Sequence, residues 1–441
     1  MAGSPLIACE QCATLHERTP LEAGAVASCS CCQAELYRQS RLGLDSWIAL
    51  VATGVILFAI ANYYPIARLV ISGMQVDASL PGALWLTWQQ GHQVVAIMTG
   101  LFSFWMPLTQ LLVTLWALLA VRSGHLPGDF SLGMRLLHVA SAWSMVPVLM
   151  LGIFVAMVKF SGLALISVGP AIWAFAGLAF LFTAMSRVST HRIWHFAEDA
   201  GLVPVSALPA GTPAELAAAC PSCGYVQAWA PDDPDEPASC SRCSARLYRR
   251  QPRMRARVWA FLIAAAIFYL PANLLPIMRI RALTEDSSHT ILGGVLELWQ
   301  LGSPDLAIIV FVASIVVPIT KLMVLMLLML RTRWEGRDMQ RSRTRLYEFV
   351  NFIGHWSMLD VFVVILMSAM ANFPGISQVI AGPAAASFGM VVILTMLAAH
   401  SYDPRMGWDR RPDVRHNACY RSAAQVCQKD KPASVGIPEQ H

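Results

Sequence analysis

The sequence predicts an all-α polytopic membrane protein of two tandem repeats, each a small four-cysteine metal ribbon followed by four transmembrane helices. Three observations predict it. Of 441 residues, 56% are hydrophobic and only 13% are charged, far below the roughly 25% charged residues typical of a soluble domain. Eight of the eleven cysteines fall in four Cys-x-x-Cys pairs. The chain also repeats itself at an almost constant offset. The net charge of +5 is small and gives no ground for a nucleic-acid partner.

Residues 1–10 lack a basic stretch followed by an apolar one, so no cleaved signal peptide is expected. The first insertable segment is residues 47–66. Before it stands the first ribbon, Cys9-x2-Cys12-x16-Cys29-x2-Cys32; the same spacing recurs as Cys220, Cys223, Cys240 and Cys243. A Cys-x-x-Cys turn lets two thiolates converge on one ion, and two turns complete a tetrahedral four-sulfur site. Zinc is expected in both; iron in a rubredoxin-like site suits the same ligands and is the alternative. Such a site has no open coordination position, so its role is structural: to fold small knobs that brace the spans or dock a partner. Disulfides of a secreted protein are the competing reading and fit these flanks poorly. Cys31 lies inside the second turn as a spectator or alternative ligand. Cys419 and Cys427 have no matching pairs.

Adding 211 to the first four cysteines gives the second four. The same shift carries Leu36-Tyr37-Arg38 onto Leu247-Tyr248-Arg249, Asn62 and Pro65 onto Asn273 and Pro276, and Pro107 and Thr109 onto Pro318 and Thr320. It also takes Trp88-Gln89 and Gly91 to Trp299-Gln300 and Gly302. Further on the offset is 213, taking Trp143-Ser144-Met145 to Trp356-Ser357-Met358 and Gly169-Pro170 to Gly382-Pro383. This is a tandem duplication.

Apolar runs near the ~20 residues needed to cross a bilayer occur four times per copy, near 46–66, 94–121, 136–158 and 162–186, then 257–278, 306–330, 348–370 and 376–400. A longer connection, 67–93 and 279–305, separates the first two spans of each copy. The expected domains are ribbon 1 (1–45), transmembrane domain 1 (46–186), a linker (187–219), ribbon 2 (220–255), transmembrane domain 2 (256–400) and a polar tail (401–441). The linker is rich in Pro and Ala and holds His191, His195 and Glu198. Orientation follows the arginines: Arg331, Arg333, Arg337, Arg341, Arg343 and Arg345 lie between the sixth and seventh spans, and Arg250, Arg253, Arg255 and Arg257 lead into the fifth. With an even number of spans, this places both termini, both ribbons and the Arg-rich loop in the cytoplasm.

Ionisable residues inside spans are functional candidates. Lys321 lies ten residues before Arg331, roughly 15 Å from the cytoplasmic end. By the same arithmetic Ser357 is about 18 Å in, Thr395 about 12 Å and Asp360 roughly 22 Å. Lys321, Ser357 and Thr395 therefore share a similar depth and form a candidate polar cluster. The plainer readings are that the hydroxyls bond their own helices and that Lys321 pairs structurally with Asp360. His355 is read as packing, and Lys159 as snorkelling. Pro318 frees a carbonyl one turn before Lys321 and bends the span there. In the first copy Gln110 stands in place of Lys321 and Pro147 in place of Asp360, while Ser144 and Thr183 keep the hydroxyls. The second copy is therefore expected to do the chemistry and the first to scaffold it.

With these motifs in view, the chain resembles the paraquat-inducible protein A family. The residues that carry the likeness are Cys220-Pro-x-Cys-Gly, Cys240-x-Arg-Cys with Leu247-Tyr-Arg, Asn273-x-x-Pro276, Pro318-x-Thr320-Lys321, Trp356-Ser-Met-Leu-Asp360-Val-Phe, Thr395-Met-Leu-Ala and Asp403-Pro-Arg. The likeness covers nearly the whole chain. The first copy departs from it at Cys31 and at Pro147. The resemblance implies a Gram-negative inner-membrane subunit that moves lipids or other hydrophobic molecules with a periplasmic MCE-domain tunnel protein.

The leading functional reading is therefore phospholipid transport. No G-x-x-x-x-G-K-[ST] phosphate loop occurs in the sequence, so ATP hydrolysis by this chain is not expected; proton coupling through Lys321, Ser357, Asp360 and Thr395 is. The alternative is a membrane-bound redox or envelope-stress sensor that uses the Cys-x-x-Cys thiols. A membrane enzyme is disfavoured by the lack of a nucleophile–base pair.

Overall fold

The computed structural model describes residues 5–40, 42–71, 74–160, 165–186, 190–206, 208, 217–229, 238–248, 250–282, 286–300, 302, 304–330, 337–354, 358–370 and 377–408. The chain opens with two hairpins, β1 (Leu6–Ala8) with β2 (Leu15–Glu17) and β3 (Val26–Ser28) with β4 (Glu35–Arg38). The first span, α1 (Leu44–Tyr63), follows. Asn62 closes it by donating to the Phe58 carbonyl at 2.8 Å.

The long connection after α1 is built rather than loose. It holds β5 (Ala67–Ile71), β6 (Met74–Ala78) and the short helix α2 (Leu80–Gln89), which Ser79 caps by accepting from the Gly82 amide. The second span runs from α3 (Gln93–Gly100) through a π-bulge at Leu101–Trp105 into α4 (Met106–Arg122). Pro107 explains the bulge: it has no amide proton, and its ring crowds the carbonyl one turn back. The hydroxyl of Ser103 donates to the Thr99 carbonyl at 2.6 Å and so satisfies an acceptor the bulge frees.

The third span is broken. α5 (Phe130–Trp143) stops at Ser144, whose backbone is extended, and α6 (Val146–Phe160) restarts two residues on. Strand β7 (Leu165–Val168) then pairs with β5, giving a three-stranded antiparallel sheet of order β6-β5-β7. The fourth span, α7 (Pro170–Met185), is followed by α8 (Thr190–Asp199). Gly169 makes the joint before α7: a side chain there would put its Cβ 2.0 Å from the Pro65 carbonyl oxygen.

The second repeat has the same plan. Its ribbon is β8 (Ala217–Ala219), β9 (Val226–Ala228), β10 (Ala238–Ser239) and β11 (Arg246–Leu247). After α9 (Met254–Leu274) come β12 (Met278–Ala282), β13 (Asp286–His289) and α10 (Ile291–Gln300). The second span is α11 (Pro304–Phe311), a π-bulge at Val312–Val316, and α12 (Val317–Leu330); Ser314 donates to the Val310 carbonyl as Ser103 does to Thr99. The third is broken into α13 (Arg337–Gly354) and α14 (Leu359–Met370), and β14 (Ser377–Ala381) completes a sheet of order β13-β12-β14 before α15 (Pro383–Ser401).

In each repeat the fourth span packs on the first, α7 on α1 and α15 on α9, and across the repeats α6 packs on α14. Residues 361–370 of α14 are all buried, so this half-helix sits at the heart of the molecule. The outer helix faces are apolar and bare: Ile56, Trp173, Phe180, Ile267, Leu270 and Met323 are exposed. Water does not tolerate such a belt, and a bilayer does. Six of the described helical runs are long and apolar enough to cross a membrane. The other two expected positions hold α7, of 16 residues, and α14, of 12. α7 is shorter than expected because β7 takes the residues assigned to the start of its span, and α14 because the third span of the second repeat is interrupted. The chain is a multi-pass membrane protein of two repeats.

Candidate metal centres and a buried lysine

Each Cys-x-x-Cys pair sits on a hairpin turn. In the first, the Cys9 amide donates to the Thr14 carbonyl and the Ala13 amide returns to the Cys9 carbonyl at 2.8 Å. The residue after the second cysteine takes a left-handed backbone in all four turns, with φ of 61° at Ala13, 66° at Gln33, 71° at Gly224 and 54° at Ser244. That reversal points both thiols to the same side. The sulfurs of Cys9 and Cys32 come to 3.4 Å, Cys12 and Cys29 to 3.5 Å, Cys220 and Cys243 to 3.5 Å, and Cys223 and Cys240 to 3.6 Å. Within each set all four lie inside 4.8 Å. Tetrahedral thiolates bonded at about 2.3 Å stand roughly 3.8 Å apart, so each set fits a single ion. His16 adds a ring nitrogen 3.3 Å from the Cys29 sulfur. Both centres unite the cysteines their spacing grouped. Cys31 is buried nearby, and Cys419 and Cys427 lie outside the described residues.

Each ribbon docks on the other repeat, and ribbon 1 also on α8 of its own. Ribbon 1 meets the second repeat: Arg341 of α13 donates through Nε and Nη2 to the Cys31 carbonyl at 3.3 and 3.1 Å, and Trp408 packs among its cysteines. Ribbon 2 meets the first repeat through α8, which lies within the expected linker. The Arg242 guanidinium stacks 4.4 Å from the Trp194 ring and pairs with Glu198 at 2.7 Å; Trp194 in turn meets Phe130 of α5 edge-on. Glu198 also receives Arg18 of ribbon 1 at 3.1 Å and His195 at 2.8 Å. Burial pushes its carboxyl up, but His195 and Arg242 outweigh that and hold it below its ordinary value. One carboxylate thus ties both ribbons to the first repeat.

Of the four intramembrane candidates, the structure places two in full. Lys321 on α12 is 1% exposed, and its amine donates to the Gly354 carbonyl at 3.4 Å. Gly354 ends α13, where free carbonyls carry the negative end of the helix dipole. The lysine therefore faces the break in the third span. Thr395 on α15 is equally buried, but its hydroxyl donates to its own helix at Val392, 3.0 Å away; among the described residues no hydrogen bond joins it to Lys321. Ser357 lies outside the described residues, as does His355. The backbone of Asp360 forms the first turn of α14, and its side chain is outside them too. In the first repeat the Oε1 of Gln110 and the Oγ of Ser144 are buried without a hydrogen-bond partner.

Sequence reasoning missed an apolar cleft between the repeats, lined by Val155 of α6, Met278, Ile291, Val310, and Val364 and Met367 of α14. The only signal for it was the length of the connections that form β12 and α10.

The family model described as Paraquat-inducible protein A matches residues 44–198 and 256–411. The chain is 30% identical to "Intermembrane transport protein PqiA" of Escherichia coli (strain K12), covering 93% of this chain and 97% of that one. It is 31% identical to "Lipophilic envelope-spanning tunnel protein A" of the same organism, over 91% and 90% of the two chains. It is 28% identical to a "Probable intermembrane transport protein" of Haemophilus influenzae, over 91% and 95%. No solved structure matches. The two matched regions are the two repeats without their ribbons, and with relatives 30% and 31% identical over 93% and 91% of the chain they show that this chain belongs to the paraquat-inducible protein A family.

Proposed function

We propose that this chain is the inner-membrane subunit of a lipid-transport system of the Gram-negative envelope. It loads or extracts phospholipid and exchanges it with a periplasmic MCE-domain tunnel protein. The observation that carries this reading is the apolar cleft at the repeat interface, walled by the half-helices that follow the two broken third spans. Transporters bind their cargo at such a place, between repeats and beside discontinuous helices. The relatives' names, which speak of intermembrane transport and a lipophilic tunnel, agree with it.

Proton uptake and release by Lys321, relayed by Ser357, Asp360 and Thr395, couples the movement to an energy source, because an ammonium at that depth is stable only when paired or hydrated. Both four-cysteine sets hold zinc, which closes the ribbons and performs no chemistry. The ribbons, α8, α13 and Trp408 all meet at one end of the molecule, and that arginine-bearing end is cytoplasmic; both termini lie there.

Mass spectrometry of the protein purified from its native membrane tests the reading. Bound phospholipid and a co-purifying MCE-domain protein are expected, and Val364→Trp should lose the lipid while keeping the partner. A preparation that carries neither would overturn it.

A further inference from the structure

The short helices α2 and α10 hold equivalent places in the two repeats. Each follows the strand pair after its first span, and each ends just before a glycine of positive φ, Gly91 at 85° and Gly302 at 79°, that turns the chain into the second span. Pro81, Trp85 and Trp88 are spaced i, i+4, i+7 and so share one face of α2. The shift of 211 carries them onto Leu292, Leu296 and Trp299, which share the corresponding face of α10. All six are exposed, Trp85 at 64%, Leu296 at 56% and Trp299 at 57%. The inward faces are buried: Leu80, Ala83 and Thr87 in α2, Ile291 and Val295 in α10. α2 rests on α14 of the other repeat, while Ile291 and Gly294 of α10 line the apolar cleft.

A bare apolar face marks a surface that something covers. Here both copies keep it, although Pro81 answers to Leu292 and Trp85 to Leu296: what they share is apolar character and a closing Trp-Gln step. Residues 79–90 include no charged side chain. Trp88 and Trp299 stand beside exposed Gln89 and Gln300. An indole with an apolar body and one N–H donor suits such a border at the headgroup level of a bilayer. The stripe also continues into the membrane belt, for Val94 and Ile97 of α3 and Ile308 and Ile309 of α11 are exposed in turn. The chain leaves each ribbon and crosses once, through α1 or α9, before it reaches these helices. Both therefore lie at the leaflet remote from the ribbons. A protein partner would have to be shaped to two faces on two repeats; one membrane plane meets both.

We propose that α2 and α10 are interfacial helices whose outward faces rest among the phospholipids of the leaflet remote from the ribbons. α10 then carries lipid on one face and the cleft on another. This seat needs only the apolar belt and holds whatever the cleft carries.

The test uses the full chain in the inner membrane of the expressing bacterium, with photoreactive benzoylphenylalanine placed singly at Trp85 or at Leu296. Trp173 of α7 in the belt and Glu22 of ribbon 1 serve as the two reference positions. All four sites are exposed, so the probe displaces no packed neighbour. After irradiation, mass spectrometry should find phospholipid adducts at both helices, at yields like that of Trp173 and about fivefold or more above that of Glu22. Adducts with a protein at either helix, a second copy of this chain included, overturn the proposal. So does a phospholipid yield at either helix no higher than at Glu22, which would place that face in water.

Discussion

In the first repeat the second span passes through a π-bulge at Leu101–Trp105 and presents Gln110; in the second it passes through a bulge at Val312–Val316 and presents Lys321. Each bulge lies just before or around the proline, and each has a serine hydroxyl on the carbonyl one turn back. Each third span breaks, each sheet has the same order, and each Gly-Pro joint is closed over a proline carbonyl. What differs is charge. Lys321 reaches the carbonyl end of α13, whereas the Gln110 oxygen is left without a partner. Asp360 opens α14 where Pro147 opens α6, and Arg279 stands opposite Ser288 where Arg68 pairs with Asp77. The backbone devices were kept in both copies, whereas Lys321 and Asp360 of the second have uncharged counterparts, Gln110 and Pro147, in the first.

The largest expected effect concerns the ribbons. Purified protein should hold two zinc ions, and Cys220→Ser with Cys223→Ser should lose one, removing on the order of 10 kcal/mol of local folding free energy. Because docking is crossed, emptying ribbon 2 should raise hydrogen exchange in α8 and α5 of the first repeat. Emptying ribbon 1 through Cys9→Ser and Cys12→Ser should raise it in α13. If each ribbon protects only its own repeat, the crossed arrangement is wrong.

Next come the glycine joints, where the repeats should behave alike. Gly169→Ala and Gly382→Ala each drive a Cβ to about 2.0–2.1 Å from a proline carbonyl oxygen, costing about 3 kcal/mol as the backbone shifts. Detergent-melt temperatures should fall by similar amounts, and a fall in one repeat alone would break the structural equivalence. Smaller still is Glu198→Gln, which leaves Arg242 buried against a neutral partner and costs about 2 kcal/mol. The folded carboxyl lies below its ordinary value, so its contribution is present above that value and is lost as pH falls through the folded one. The melt of the wild type should therefore weaken on acidification by more than that of the variant.

The cysteine sets were fully legible, since thiolate spacing is a local property. So was the duplication, and with it the position of Lys321. The two sheets were not, because Leu165–Val168 and Ser377–Ala381 are rich in apolar and β-branched residues, and hydropathy does not separate such a strand from the start of a span. Their partners lie about a hundred residues away, as Ala67 does from Val168. The crossed docking depends on Arg341 meeting Cys31, more than three hundred residues apart, and no local pattern in the sequence announces a contact of that range. Thr395 was legible as a buried hydroxyl, but depth alone does not say which acceptor it takes.

The central claim is that the second repeat carries the coupling chemistry on a scaffold both repeats share. Complementation of a deletion strain by Lys321→Ala and Gln110→Ala, with protein level and zinc content measured for both, tests it most directly. Lys321→Ala should abolish envelope function in a protein that accumulates and binds two zinc ions, while Gln110→Ala should complement nearly as well as the wild type, since an amide does not ionise. Full complementation by Lys321→Ala, or its failure to accumulate at all, would contradict the account and make Lys321 a structural residue.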